Sequence, residues 1–81
     1  MATTRLTCLD AEAAANVVAE HAPYGGRSNT VVQDGGVVVI DFYDPRWPMD
    51  IAEYAFEQGL AHGEDAARVI AAASDAVDAA R

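Results

Sequence analysis

Two Val-rich runs flank Asp34-Gly35-Gly36 inside the stretch Ser28 to Trp47, and no other part of the chain carries so dense a β signal. Asp-Gly supplies two residues that tolerate positive φ, as the favoured two-residue hairpin turn requires. The stretch therefore predicts a β-hairpin. With Asp34-Gly35 as its turn, Val32 faces Val37, Val31 faces Val38 and Thr30 faces Val39. A three-residue turn that takes in Gly36 shifts this pairing by one residue, and both registers stay open. Strand alternation puts Val31, Val38, Ile40 and Phe42 on one apolar face. It puts Val32, Val37, Val39, Asp41 and Tyr43 on the other. Two strands alone are marginal in water, so a third strand or a partner chain is expected to complete the sheet.

The segments around the hairpin have helical patterning. Residues 3 to 8 read either as a short extra strand or as a lead into the first helix, with Thr7 or Asp10 as N-cap. From Asp10 to His21 the residues Ala11, Ala14, Val17, Val18 and His21 share one side at helical period. Pro23 and Gly25-Gly26 end that helix. After the hairpin, Pro45 and Pro48 forbid further ladder pairing. A second helix is expected from about Pro48 to His62, burying Ile51, Ala52, Ala55, Phe56 and Gly59, with Asp50 at its positive end. Gly63 is expected to cap it. A third helix follows, with Ala66, Val69, Ile70, Ala73, Val77 and Ala80 inward and an ion pair between Glu64 and Arg68. The core anchors expected are Val38, Ile40, Phe42, Ile51, Phe56, Leu60, Val69 and Ile70. The reading is a single small α+β domain over 1–81, helix–β-hairpin–helix–helix, with room for an N-terminal strand.

At 81 residues the chain buries about 60–65% of its unfolded surface, so its core is modest and a deep substrate cavity is hard to build. No window approaches the roughly 20 apolar residues of a membrane span. The opening residues lack the run of about 7–15 apolar residues of a signal peptide, and a cytoplasmic protein is expected. A single cysteine, Cys8, excludes an internal disulfide framework.

Candidate chemistry is sparse. No C-x-x-C, H-E-x-x-H or EF-hand spacing is present. His21 and His62 are far apart, and Asp41 with Asp44 makes a thin case for a hard cation. Cys8 lies near a helix N-terminus, which lowers a thiol pKa, but free cysteines are more commonly buried and inert. Gly25-Gly26 precedes a strand and lacks the P-loop pattern. No enzyme activity and no cofactor or metal is expected. A small enzyme using Cys8 or the Asp41/Asp44 pair is the remotest alternative.

Charge is the informative feature. Thirteen acids stand against five bases, a net charge of −8. Direct binding to nucleic acid or to an anionic membrane is therefore disfavoured, and a basic protein surface is the expected partner. Asp50, Glu53 and Glu57 fall on the outer side of the second helix with Tyr54 beside them; Glu64, Asp75 and Asp78 fall outward on the third. A charged outer face ordinarily solvates a helix, and acidity also serves solubility or a halophilic source. Few bases share these faces, however. Carboxylates about 5–6 Å apart along a helix roughly resemble the phosphates of a duplex. Trp47 and Tyr54 add interface-type aromatics. Trp47 reads somewhat better as a cap over the core under the Pro45–Pro48 turn, while Tyr54 is the better contact candidate.

A small acidic domain with these rows and no enzyme motif resembles the phage-encoded anti-CRISPR proteins. The likeness covers size and charge over the whole chain, and no binding residue carries over by motif. It implies a DNA-mimicking inhibitor that meets a CRISPR effector complex in a bacterial cytoplasm. The alternative partner is a basic toxin or another regulated basic protein. The Val32/Val37/Val39 face leaves room for a homodimer.

Overall fold

The computed structural model describes residues 1–79, in the order β1 (Ala2–Thr7), α1 (Ala11–His21), β2 (Thr30–Asp34), β3 (Val37–Phe42), α2 (Arg46–Glu57) and α3 (Gly63–Ala79). A short 3-10 turn, Ala22–Tyr24, follows α1. β3 lies between β1 and β2 and runs antiparallel to both. The chain's own N-terminal strand thus completes the sheet, and β1–α1–β2 forms a split βαβ unit with β3 in the gap. The molecule is an α+β domain with the helices stacked on one face of a three-stranded sheet.

The hairpin pairs Asp34 with Val37, Val32 with Val39 and Val31 with Ile40. The pairing expected from an Asp34-Gly35 turn is therefore corrected: the turn is Gly35-Gly36. Gly35 alone of the pair takes positive φ, 59°, as the first position of a type II′ turn demands. Asp34 stays in the strand, where its carboxylate reaches Arg5 of β1 at 3.7 Å. The slip is two residues, an even number, so every side chain keeps its expected face. Leu6, Val31, Val38, Ile40 and Phe42 are buried beneath the helices.

α1 opens on Asp10, whose Oδ1 accepts from Ala13 N at 2.7 Å. Thr7 belongs to β1 instead. The helix buries Ala13, Ala14 and Val17, while Ala11, expected inside, is exposed. α2 runs antiparallel beside α1: Trp47 meets His21, Tyr54 meets Asn16, and Leu9 N donates to Leu60 O. Its bounds differ from expectation at both ends. Asp44 accepts from Arg46 N through its side chain and from Trp47 N through its carbonyl, so the helix starts before Pro48. Asp50 consequently lies outside the first turn, which carries no acid. The helix stops at Glu57, and Gly59 takes the left-handed conformation with φ 71°. Gly63 is the first residue of α3, not the cap of α2.

The early stop moves Phe56 into the last turn, at the edge of the buried arc, and leaves it 57% exposed. The expected anchors Phe56, Leu60 and Ile70 are exposed, half-buried and half-buried respectively. Leu6, Val17 and Pro48 are fully buried beside Ile40, Ile51, Val38 and Val69. Each such aliphatic side chain contributes on the order of 1.5–3 kcal/mol by leaving water. In α3, Ala66, Val69 and Ala73 are buried and Val77 half-buried; Ala80 lies outside the described residues. Arg68 pairs with Asp65 at 3.1 Å, not with Glu64.

Candidate binding surface

Helix periodicity projects Asp50, Glu53 and Glu57 outward from α2 in one row, all three exposed. Ile51, Ala52 and Ala55 on the opposite side pin the helix by burial, which holds the row in place. On α3 the outward residues Glu64, Asp75 and Asp78 are exposed likewise. Both rows therefore lie on the solvent side of the helix layer.

Among the described residues, the basic residues near these rows are already engaged. Starting α2 at Arg46 puts that residue at the head of the α2 row, contrary to a row free of bases. Its guanidinium grips Asp44, with Nη2 at 3.0 Å from Oδ2 and Nε at 3.3 Å from both carboxylate oxygens. The fork holds the Asp44 carboxyl below its ordinary pKa and raises that of Arg46, to which nearby Asp50 adds a smaller contribution. Arg68 is held by Asp65 within α3. Among the described residues the ion pairs join Arg5 to Asp34, Arg46 to Asp44 and Arg68 to Asp65. None takes up Asp50, Glu53, Glu57, Glu64, Asp75 or Asp78.

The two aromatic candidates are tied inward. Tyr54 is half-buried and its hydroxyl donates to Asn16 Oδ1 at 3.1 Å. Trp47 is half-buried and its Nε1 donates to the carbonyl of Thr30 at 3.3 Å. The His21 ring stands edge-on to both, with centroids 4.8 Å from Tyr54 and 6.2 Å from Trp47. Its Nδ1 lies 2.7 Å from Val17 O. These groups lock α1 to α2 and to the end of β2. The aromatic exposed at the acidic surface is Phe56, which hydrophobic periodicity assigned to the core. The signal that it lies outside is its place in the last turn before Gln58 and Gly59.

The residues weighed for catalysis are not assembled. Cys8 is buried, with Sγ 4.0 Å from Leu6 O. Burial first, then the charges of Asp65 and Asp10, push its thiol pKa up. That is the reverse of an activated nucleophile. His21 sits at the opposite end of α1, about 15 Å along the helix by its rise per residue. Asp41 lies on the open face of the sheet, where it accepts from the hydroxyls of Thr3 and Thr30. Asp44 is occupied by Arg46. Among the described residues no group of three or more His, Cys, Asp or Glu side chains is placed to hold a metal ion. Among the same residues no helix is long and apolar enough to cross a membrane.

No protein-family model matches the chain, and comparison with curated proteins and with solved structures likewise finds no match.

Proposed function

We propose that this chain is a non-enzymatic acidic inhibitor that docks its helix layer on a basic, nucleic-acid-binding surface of a partner and blocks it. The observation that carries the reading is the α2 row. Asp50, Glu53 and Glu57 are exposed side by side, and the nearest base, Arg46, is already held by Asp44. The row thus keeps its net negative charge. Glu64, Asp75 and Asp78 extend that charge across α3. Charge of one sign on a rigid face steers a partner of the other sign and favours channels built for phosphate. Phe56 supplies an exposed aromatic at the edge of the row, the kind of residue that anchors an interface. Trp47 and Tyr54 support the helix layer from within.

The partner class we favour is a CRISPR effector complex, which holds nucleic acid in a positively charged channel. The test is a gel-shift titration of purified effector complexes on target DNA, with this protein added first. Loss of DNA binding that is reversed by excess duplex supports the reading. Undiminished DNA binding across the effector types overturns that partner class. Capture of a basic toxin in its place would make the protein an antitoxin.

A further inference from the structure

We propose that Asp44 is a positioning residue for the acidic face: it holds Arg46 off the α2 row, and without it the guanidinium turns to Asp50 and takes one negative charge out of that surface. The inference deepens the proposed function and rests on it for what the row does. The competition between the two carboxylates is independent of any partner.

Arg46 is the first residue of α2, and Asp50 follows it by one turn on the same helix face. Asp50 is exposed and enters no ion pair among the described residues. It is close enough to favour the charged form of Arg46, behind the hydrogen bonds and then the charge of Asp44. One base thus stands between two acids. Held by Asp44, it leaves Asp50, Glu53 and Glu57 all uncompensated. Moved to Asp50, it neutralises the residue at the head of the row.

Asp44 wins because it is placed in advance. Its backbone N and that of Tyr43 donate to Asn29 Oδ1, at 3.2 Å and 3.0 Å. Its carbonyl accepts from Trp47 N at 3.0 Å. Pro45 fixes the backbone that follows, at φ −62°. The carboxylate then uses both oxygens: Oδ1 accepts from Arg46 N at 3.0 Å, and the guanidinium forks across the pair. A carboxylate already oriented loses less freedom in taking the guanidinium than one on an open helix face. Residue order acts the same way. An acid four residues before a base is the better helical pair, and here the base comes first, at the positive end of the helix. An exposed ion pair adds little to stability, but to position Arg46 the fork needs only to exceed the poorer pair with Asp50.

Asp44→Ser separates positioning from capping, because a Ser hydroxyl still accepts from Arg46 N but cannot fork a guanidinium. Asp44→Asn, which keeps the shape, is the second variant and should behave alike. The first readout is the Arg46 Nε–H resonance in NMR spectra of the full chain. In the wild type, adding Asp50→Asn should leave it in place. In the Asp44→Ser background, adding Asp50→Asn should move it, because Arg46 then lies on Asp50. The second readout is titration with octalysine as a basic probe, followed at the backbone amides of α2. Asp44→Ser should weaken binding about twofold or more at low salt. Adding Arg46→Gln should restore it, although the Asp44 charge is still missing. Asp34→Ser, which removes an acid from the open face of the sheet, should weaken it less. An Arg46 resonance that answers to Asp50→Asn in the wild type, or that fails to do so in both Asp44 variants, overturns the inference. Octalysine binding that Arg46→Gln does not restore also overturns it, since Asp44 would then act through structure or net charge alone. If both readouts come out as expected and no effector complex is blocked, the proposed function fails and the role of Asp44 stands.

Discussion

The ring of Phe56 lies across the start of α3: a Cβ placed on Gly63 would stand 3.2 Å from its Cε1. The contact closes the bend between α2 and α3, while the rest of the ring faces water at 57% exposure. Removing a fully buried Phe costs about 3–5 kcal/mol. Phe56→Ala should cost only about 1–2 kcal/mol, since much of its area is already wet. A urea titration checks this. A loss in the range of a buried Phe would mean that the ring is part of the core in solution.

Ile40 and Val37 share β3 and point to opposite faces of the sheet. Ile40 is fully buried under the helices, and Val37 is half-buried on the open face. Ile40→Ala should destabilise by about 2–5 kcal/mol. Val37→Ala removes fewer atoms from a wetter place and should cost about 1 kcal/mol or less. Equal losses would show that both faces are covered.

The Tyr54 hydroxyl and Asn16 form the polar tie between α1 and α2, at 3.1 Å. Tyr54→Phe should cost about 0.5–1.5 kcal/mol, as a typical hydrogen bond does. Asn16→Ala removes the same bond, so the double variant should lose less than the sum of the two singles. Strict additivity in the double-mutant cycle would show that the pair does not interact.

Much of this architecture is legible in the residue order, and the exceptions have local causes. The faces of the hairpin follow from Val alternation, which an even slip leaves intact. The register does not, because Asp34-Gly35 and Gly35-Gly36 are both good turns, and the bonds that hold the observed one, from Cys8 N to Gly36 O and from Gln33 Nε2 to Ala11 O, come from segments far away in sequence. The start of α2 depends on a side chain outside the helix, Asp44, whose capture of Arg46 periodicity does not register. Its end depends on Gly59 rather than Gly63, and that difference exposes Phe56. The outward acids follow from helix period alone. The inward ties of Tyr54 and Trp47 do not, because Asn16 and Thr30 are brought to them only by the packing of α1 and β2 against α2.

Cys8 links stability to alkaline pH. Burial and the charges of Asp65 and Asp10 raise its folded pKa above that of an unfolded thiol. A raised acid favours the folded state while the thiol is neutral. The contribution is full below about pH 8.5, the unfolded value, and is lost as pH rises from there through the folded pKa. The wild-type melting temperature should therefore fall more between neutral and alkaline pH than that of Cys8→Ala. Alkylation of the native thiol should also be slow near neutral pH. Parallel pH profiles for the two proteins would remove the linkage.

The acidic row on α2 is tested by neutralising it without changing its shape. Asp50→Asn, Glu53→Gln and Glu57→Gln together remove three charges from exposed positions. Stability should move by about 0.5 kcal/mol or less, as surface substitutions do. If anything the triple variant gains, because like charges a turn apart repel. Binding to the captured partner should respond differently. Exposed charges at an interface act chiefly on encounter, so the on-rate should fall and its dependence on salt should flatten. Phe56→Ala, at the edge of the same row, should instead raise the off-rate, because an anchor acts after encounter. Tyr54→Phe should leave both rates unchanged, since the hydroxyl is committed to Asn16. Surface plasmon resonance at two salt concentrations separates these effects. If the triple variant keeps the wild-type on-rate and salt slope, the row only solvates its helix, and the binding surface lies elsewhere.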